Sequence, residues 1–243
     1  MQGLLKSAIA TKFIKGESYG YDKNSIREGI ASYLYNHIFS LAYDMNTIDR
    51  NVGIVSQALE LGLTPKDIYE KKPFLFYKDE DPIIDEYLSN TNKNIIFVIG
   101  STWPSRNYPK EKFAELANEL KENVLIIWGS ETEKEDAEFI AEHSDYAKVM
   151  PRIDLNSVKA LIDKSDLLIG NDTGPTHMAW GMNKPSITIF GPTPVSRVYV
   201  TDINKLVKSP SHVNPFKLNK QDFSIKEIEV SEILFVAKEL LFS

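Results

Sequence analysis

From residue 94 to the carboxyl end, short apolar runs alternate with longer segments in which apolar residues recur every three or four positions. The short runs predict buried strands, and the periodic segments predict amphipathic helices. Strands are expected at 95–99, 124–128, 147–150, 167–170, 186–190 and, more weakly, 206–207, and helices at 109–121, 131–143, 155–163, 176–182 and 232–241. This alternation predicts an α/β domain whose parallel sheet is covered by helices on both faces.

The front of the chain has a different pattern. Three helical stretches, 4–14, 26–43 and 47–61, follow one another with no strand between them, and Gly62 stops the last. We therefore expect residues 1–63 to be a mainly helical remnant of an N-terminal domain, and residues 95–243 to form a complete C-terminal domain. Residues 64–94 between them predict an interdomain linker, with a strand at 74–77 and a short helix at 83–88.

Composition narrows the functional classes. The 243 residues carry a net charge of −6, which argues against nucleic-acid binding, and the absence of cysteine excludes disulfides and thiolate metal sites. The four scattered histidines do not form a metal motif. No Gly-x-Gly-x-x-Gly or Walker sequence is present, so neither a dinucleotide redox enzyme nor a P-loop NTPase is favoured. No signal peptide and no apolar run of roughly 20 residues are visible, so the cytoplasm is the expected compartment.

The turn that follows the predicted strand 167–170 carries the strongest functional signal. Its sequence is Asn171-Asp172-Thr173-Gly174-Pro175-Thr176-His177, and the proline suits the first position of a helix. A helix N-terminus at the carboxyl end of a parallel strand offers N–H donors to an anionic ligand. The alternative is structural: Asp172 or Thr173 caps the helix and His177 packs beneath it. A second glycine-proline turn after the next strand favours the ligand site.

The turns after the other strands of a parallel sheet would lie on the same rim. Ser101, Thr102 and Arg106 suit a phosphate group, although an arginine in a loop is commonly a surface ion pair. Glu133 suits a ribose diol, or else it complements the dipole of its own helix. The remaining residues expected on this rim are Gly129, Ser130, Arg152, Ile153, Gly191 and Thr193.

Three groups of residues resemble the ADP-heptose:lipopolysaccharide heptosyltransferases, a branch of glycosyltransferase family nine. They are the 171–177 turn with Lys184-Pro185 and Phe190-Gly191-Pro192-Thr193; Ser101-Thr102 with Arg106 and Tyr108-Pro109; and Trp128-Gly129-Ser130-Glu131-Thr132-Glu133. Residues 2–8 resemble the type that adds the first heptose to Kdo. The resemblance extends over essentially the whole chain.

The resemblance implies a GT-B architecture, in which two Rossmann-like domains flank the active site. It implies catalytic roles for Asp172, at the donor sugar, and for Arg106, at the phosphate. Arg106 is a departure, since many relatives carry lysine there. The donor ADP-heptose would be bound by Ser101, Thr102, Arg106, Gly129, Glu133, Ile153, Asp172, Thr173, Gly174 and His177, without metal or cofactor. Lys6 and Arg27 are candidate acceptor-binding residues, although both could be solvated surface charges.

A second departure concerns the start of the chain. Members of the family begin with a strand, a glycine-containing loop and an aspartate thought to act as general base, and no such segment precedes Gln2. The sequence therefore predicts an N-terminally shortened heptosyltransferase that binds donor with little turnover alone. Its acceptor would be Kdo-lipid A, reached peripherally at the inner membrane. The alternatives are an ADP-sugar-binding module that needs a separate N-terminal piece and another GT-B enzyme such as a sugar-nucleotide epimerase.

Overall fold

The computed structural model describes residues 4–242, which divide into two compact units. The first unit contains the chain up to Lys71 together with a short returning segment, Ser196–Tyr199. The second unit contains Lys72–Val195 and the chain from Val200 onward. The segment predicted as a linker, 64–94, is therefore divided between the two units, with its larger part in the second.

The first unit is built from short elements. They are α1 (Leu5–Thr11), β1 (Tyr19–Tyr21), a 3-10 helix (Gly29–Leu34), β2 (His37–Phe39), α2 (Thr47–Ala58) and α3 (Pro65–Tyr69). The two strands pair in parallel, so the prediction of three successive helices with no strand between them, including a helix over 26–43, is wrong. Aromatic and β-branched residues favour a pleated surface over a helix, and the Tyr19 ring stacks on those of His37 and Phe39 across the pair.

A small core holds this unit together. Ala8, Tyr21, Ile26, Ala31 and Ile54 are buried against one another. The returning segment completes it through two hydrogen bonds. The side-chain amide of Asn46 donates to the carbonyl of Val198 at 2.6 Å, and the Tyr199 hydroxyl donates to the carbonyl of Pro65 at 3.3 Å.

The second unit has the predicted alternation of strands and helices. In chain order it contains α4 (Ile83–Tyr87), β3 (Asn94–Val98), a 3-10 helix (Pro104–Arg106), α5 (Lys110–Leu120), β4 (Asn123–Ile127), α6 (Glu131–Glu142), β5 (Ala147–Val149), α7 (Leu155–Lys164), β6 (Leu167–Asn171), α8 (Gly174–Gly181), β7 (Ser186–Phe190), β8 (Asn204–Lys208), a 3-10 helix (Ser224–Glu227) and α9 (Val230–Phe242). The weakly predicted last strand is a full strand, β8. The strand predicted at 74–77 is wrong: this segment packs on α8, where the Phe74 N–H donates to the Gly181 carbonyl at 3.0 Å.

All six strands of the second unit are parallel, in the order β5-β4-β3-β6-β7-β8. Successive residues of β3 enter two core layers: Ile95 and Phe97 pack with α5, α6 and α9, whereas Ile96 and Val98 pack with α4, α7 and α8. The chain moves outward in one direction from β3 to β5 and in the other from β6 to β8. The order therefore reverses between β3 and β6, and doubly wound sheets bind ligands at this point.

Within residues 4–242, no helix combines the length and the apolar character needed to cross a membrane. The longest of these helices, α9, has 13 residues, against roughly 20 for a spanning helix.

Candidate active site

The site begins where β6 ends beside β3. A Cβ atom at Gly170 would lie 2.5 Å from the Cβ of Val98 and 2.9 Å from its carbonyl oxygen, so the two strands can approach this closely only with glycine there. The next residue, Asn171, is fully buried and bonds to the loop after β3. Its amide donates to the Ile99 carbonyl at 2.6 Å and accepts from the Tyr108 N–H at 3.1 Å. The two loops at the switch point are therefore tied together.

Asp172 is the centre of a buried polar cluster, with only 3% of its surface exposed. Its Oδ1 atom lies 2.9 Å from His177 Nε2, and its Oδ2 atom lies 2.9 Å from Arg106 Nη2 and 2.9 Å from Thr193 Oγ1. These partners come from α8, from the 3-10 helix after β3 and from the turn after β7. Three rim loops therefore meet at one carboxylate.

The partners of Asp172 decide its charge. Burial alone would raise its pKa, but the hydrogen bond with His177, the positive charge of Arg106 and the Thr193 hydroxyl outweigh burial and leave the pKa lowered. The carboxylate is consequently ionised at neutral pH. The Arg106 side chain is only 12% exposed, so the two opposite charges compensate each other away from solvent.

Beside this cluster lies a cavity of about 650 Å³, within the size range of small-molecule sites. Its walls come from the loops after β3, β4, β5 and β6, and include Gly129, Glu133, Ile153 and Thr173. The Glu133 carboxylate accepts the Gly129 N–H at 2.7 Å. It also lies against the backbone of Gly100, where an added Cβ would be 2.0 Å from Glu133 Oε1. One carboxylate oxygen is thus anchored in the wall of the cavity.

The loop after β3 has unused hydrogen-bonding capacity. Ser101 Oγ, Ser105 Oγ and Asn107 Oδ1 are buried and have no hydrogen-bond partner, an arrangement that costs free energy unless a ligand or water supplies one. Positive charge is close by, because the Arg106 guanidinium lies 5.5 Å and the Lys220 ammonium 4.7 Å from the Trp103 ring. The loop can therefore take a polar, negatively charged group. No three metal-ligating side chains cluster anywhere in the described part of the chain.

The structure places the ten predicted donor-binding residues in the second unit, in loops and helix starts after β3, β4, β5 and β6. Arg106, Asp172 and His177 are in direct contact, and Gly129, Glu133, Ile153 and Thr173 line the cavity. The other three are Ser101, which is partly buried, and Thr102 and Gly174, which are exposed.

The structural alternatives for these residues hold only in part. Thr173 is the N-cap residue of α8 but makes no capping hydrogen bond with its side chain. His177 pairs with Asp172, and the ion pair of Arg106 is buried, unlike a surface pair. Glu133 lies in the first turn of α6 and also in the cavity wall, so its two predicted roles are compatible.

The predicted acceptor-binding residues, Lys6 and Arg27, lie in the first unit, and both are exposed. Lys6 is on α1, and Arg27 is in a bend before the 3-10 helix. Their segments are joined by a hydrogen bond of 2.6 Å from the Leu5 N–H to Glu28 Oε2. The two cations therefore lie in segments that are hydrogen-bonded to each other, and their role stays a prediction.

Two residues, Asn171 and Thr193, make hydrogen bonds between loops that the sequence did not predict. The sequence places Asn171 in the turn and Thr193 on the rim, and both lie in segments that resemble the family, but it assigns neither a bonding partner. Each makes its hydrogen bonds to a loop that is distant in sequence, with 72 positions between Asn171 and Ile99 and 21 between Thr193 and Asp172. The available signals were their polar character beside buried strands and their place in the segments that resemble the family.

Comparison with known proteins adds independent information. Residues 1–220 match glycosyltransferase family 9 (heptosyltransferase). Lipopolysaccharide heptosyltransferase 1 of Campylobacter coli is 36% identical, over 99% of this chain and 74% of that protein. The protein of the same name from Pseudomonas aeruginosa is 30% identical, over 79% of this chain and 53% of that protein. The one from Escherichia coli K12 is 26% identical, over 90% and 68%.

Solved structures share the fold. The E. coli heptosyltransferase WaaC with ADP superposes with a TM-score of 0.72 at 21% identity, over 98% of this chain and 71% of that one. The same enzyme with ADP-2-deoxy-2-fluoro heptose gives 0.69 at 22%, over 98% and 70%. These likenesses confirm the predicted α/β fold of the GT-B type.

Proposed function

Since the chain belongs to glycosyltransferase family 9, the heptosyltransferases, we propose that its second unit binds ADP-heptose as the donor of L-glycero-D-manno-heptose. The acceptor is a Kdo hydroxyl of the lipopolysaccharide inner core. The observation that carries this proposal is the Asp172 carboxylate, bonded to Arg106 and His177 beside a cavity that presents Glu133. An ionised carboxylate, two potential cations and a second carboxylate suit the sugar, diphosphate and ribose of one nucleotide-sugar.

The cavity takes the adenosine. Ile153, Ile127 and Trp128 supply apolar surface for the base, and Glu133 accepts hydrogen bonds from the ribose hydroxyls. One of its oxygens is already fixed by the Gly129 N–H, which orients the other lone pairs toward the ligand. Small residues at 100 and 129 let the nucleotide approach the backbone.

The diphosphate lies between the loop after β3 and the start of α8. Ser101 and Thr102 donate through hydroxyls, and Arg106 supplies a fork of N–H donors. Thr173, Gly174 and His177 place backbone and imidazole N–H groups at the positive end of the helix. Together these groups neutralise the negative charge that builds up on the departing ADP.

The reaction is an inverting substitution at the anomeric carbon. The acceptor oxygen forms a bond to this carbon while the bond to the phosphate oxygen breaks, and the acceptor proton passes to a base. Asp172 holds the heptose hydroxyls and stabilises positive charge on the sugar ring in the transition state. Lys6 and Arg27 pair with the carboxylate or phosphate of the acceptor.

Calorimetric titration with ADP, UDP and ADP-heptose tests the donor part of the proposal. We expect ADP to bind and UDP to bind at least tenfold more weakly, because the base and ribose pocket is built for adenosine. Glu133→Ala should lower ADP affinity about tenfold, the size of lost hydrogen bonds to a charged group. Glu135→Ala, at an exposed position of the same helix, is the matched control. Equal affinity for ADP and UDP would refute the assignment.

Transfer is measured separately, by mass spectrometry of Kdo-lipid A incubated with the chain and ADP-heptose. A mass increase of one heptose supports the full function. Donor binding without this product agrees with the little turnover expected from the sequence, and it supports the alternative of an ADP-sugar-binding module.

A further inference from the structure

We propose that Thr193 is a positioning residue, whose hydroxyl fixes the orientation of the Asp172 carboxylate toward the donor sugar. The inference rests on the proposed function in one respect, namely that Asp172 meets the sugar. Thr193 is neither charged nor exposed, and it lies in the turn after β7, whereas Asp172 follows β6.

The hydrogen bond itself is well defined. Thr193 Oγ1 lies 2.9 Å from Asp172 Oδ2, and Thr193 is 1% exposed, so it has little access to water as an alternative partner. An ionised carboxylate can only accept, and the hydroxyl therefore donates. The bond is charge-assisted and buried, which places it among the stronger hydrogen bonds in proteins.

The backbone holds Thr193 at this place. β7 pairs with β6, which leads directly into Asp172, and Gly191-Pro192 turns the chain after β7. A Cβ at Gly191 would be 2.8 Å from the Cβ of Ile225 and 3.2 Å from the carbonyl oxygen of Ser105. The turn therefore packs directly against the 3-10 helix that carries Arg106, and the spacing between Thr193 and Arg106 is set by backbone contacts.

Thr193 differs from the other two partners of Asp172 in chemistry. Arg106 and His177 carry N–H groups that the diphosphate also attracts, and the His177 side chain is 33% exposed. Thr193 is neutral and buried, so a bound diphosphate does not compete for it. When Arg106 and His177 turn toward phosphate oxygens, the Thr193 hydroxyl keeps Oδ2 in place. Without it, the carboxylate is free to rotate or to hold Arg106 back from the phosphate.

The test compares Thr193→Val with two other variants. Valine keeps the shape of threonine and removes the hydroxyl, whereas Thr193→Ser keeps the hydroxyl and removes a methyl group. Thr188→Val is the matched control: it makes the same change on β7, at a residue that is equally buried and whose Oγ1 has no hydrogen-bond partner. Loss of the Thr188 hydroxyl should leave the Asp172 carboxylate unaffected.

Two readouts report on Asp172 separately from folding. The first is the NMR titration of the Asp172 carboxyl carbon, whose signal is assigned with the Asp172→Asn variant. The charged or titratable groups that face this carboxylate are Arg106 and His177. The second is the ratio of ADP-heptose affinity to ADP affinity. We expect Thr193→Val to raise the pKa of Asp172 and to lower this ratio about fivefold, with ADP affinity unchanged. Thr193→Ser should return both quantities toward those of the native chain, and Thr188→Val should change neither.

The proposal is overturned if Thr193→Val leaves the titration midpoint and the ratio unchanged, or if Thr193→Ser and Thr193→Val behave alike. Failure of the proposed function looks different, since the native chain would then bind ADP-heptose no better than ADP. In that case the titration alone decides whether Thr193 controls the carboxylate.

Discussion

Gly170, near the end of β6, and Gly174, at the start of α8, meet different constraints. A Cβ at Gly170 would collide with the backbone and the Cβ of Val98, whereas a Cβ at Gly174 would meet no protein atom within 4 Å. The first glycine is needed for the approach of two strands. The second leaves open space at the start of α8, where we place the diphosphate.

Alanine at each position separates these reasons. Gly170→Ala forces β3 and β6 apart and should destabilise the protein by about 2 kcal/mol, typical of overpacking a core. Gly174→Ala should change stability by less than about 0.5 kcal/mol but lower ADP-heptose affinity, because the methyl group enters the space of the ligand. Urea unfolding and calorimetry measure the two effects. Equal stability losses in both variants would contradict this account.

The sequence predicted which residues lie on the rim of the sheet better than it predicted the hydrogen bonds that these residues make. Arg106, Asp172 and His177 were expected to converge because each follows a buried strand of one parallel sheet, and they do. The hydrogen bonds of Asn171 and Thr193 depend on the spacing between loops on different strands. No local pattern encodes that spacing.

Among the elements, those of the second unit were the easier to predict. Its central strands, β3, β4 and β6, contain runs of three or four apolar residues, and amphipathic helices lie between the strands, so both signals are strong there. The last strand, β8, has only two adjacent apolar residues and is predicted more weakly. In the first unit the strands have three residues each and the 3-10 helix has six, so no period is repeated often enough to be recognised. Segment 74–77 has a strand-like composition but packs on α8, because tertiary contacts override its local preference for a strand.

The helix that carries Glu133 depends on a single cap. Ser130 accepts the Glu133 N–H at 3.3 Å at the start of α6. Ser130→Ala should cost about 1 kcal/mol of stability and weaken ADP binding modestly, because the first turn that positions Glu133 frays. Ser130→Asp retains a capping oxygen and should restore stability, which thermal unfolding can measure. An unchanged melting temperature for Ser130→Ala would show that the cap contributes nothing.

For the whole molecule, carboxyl groups with lowered pKa values set the response to acid. Burial alone would raise the pKa values of Asp172 and Asp163, but their hydrogen bonds and neighbouring cations leave both lowered. A carboxyl group with a lowered pKa in the folded state stabilises the protein fully above its unfolded value, near 4. This stabilisation is lost as the pH falls further, through the folded pKa.

We therefore expect the free energy of unfolding to fall steeply below about pH 4. Asp172→Asn should be about 3 kcal/mol less stable at pH 7, because Arg106 keeps a buried charge without its carboxylate. Its stability should also fall less between pH 5 and pH 3 than that of the native chain. Asp145→Asn, at an exposed position, is the control. Parallel pH profiles for the native chain and Asp172→Asn would refute the assignment.

The returning segment Ser196–Tyr199 has a practical consequence for dissecting the protein. Its residues belong to the first unit, although the chain on both sides belongs to the second. A polypeptide that begins after Lys71 would therefore keep these four residues but lose their packing partners. Val198 and Tyr199, both more than 90% buried in the intact chain, would then form exposed apolar surface that favours aggregation. To isolate the second unit, that stretch should be replaced with a short polar bridge.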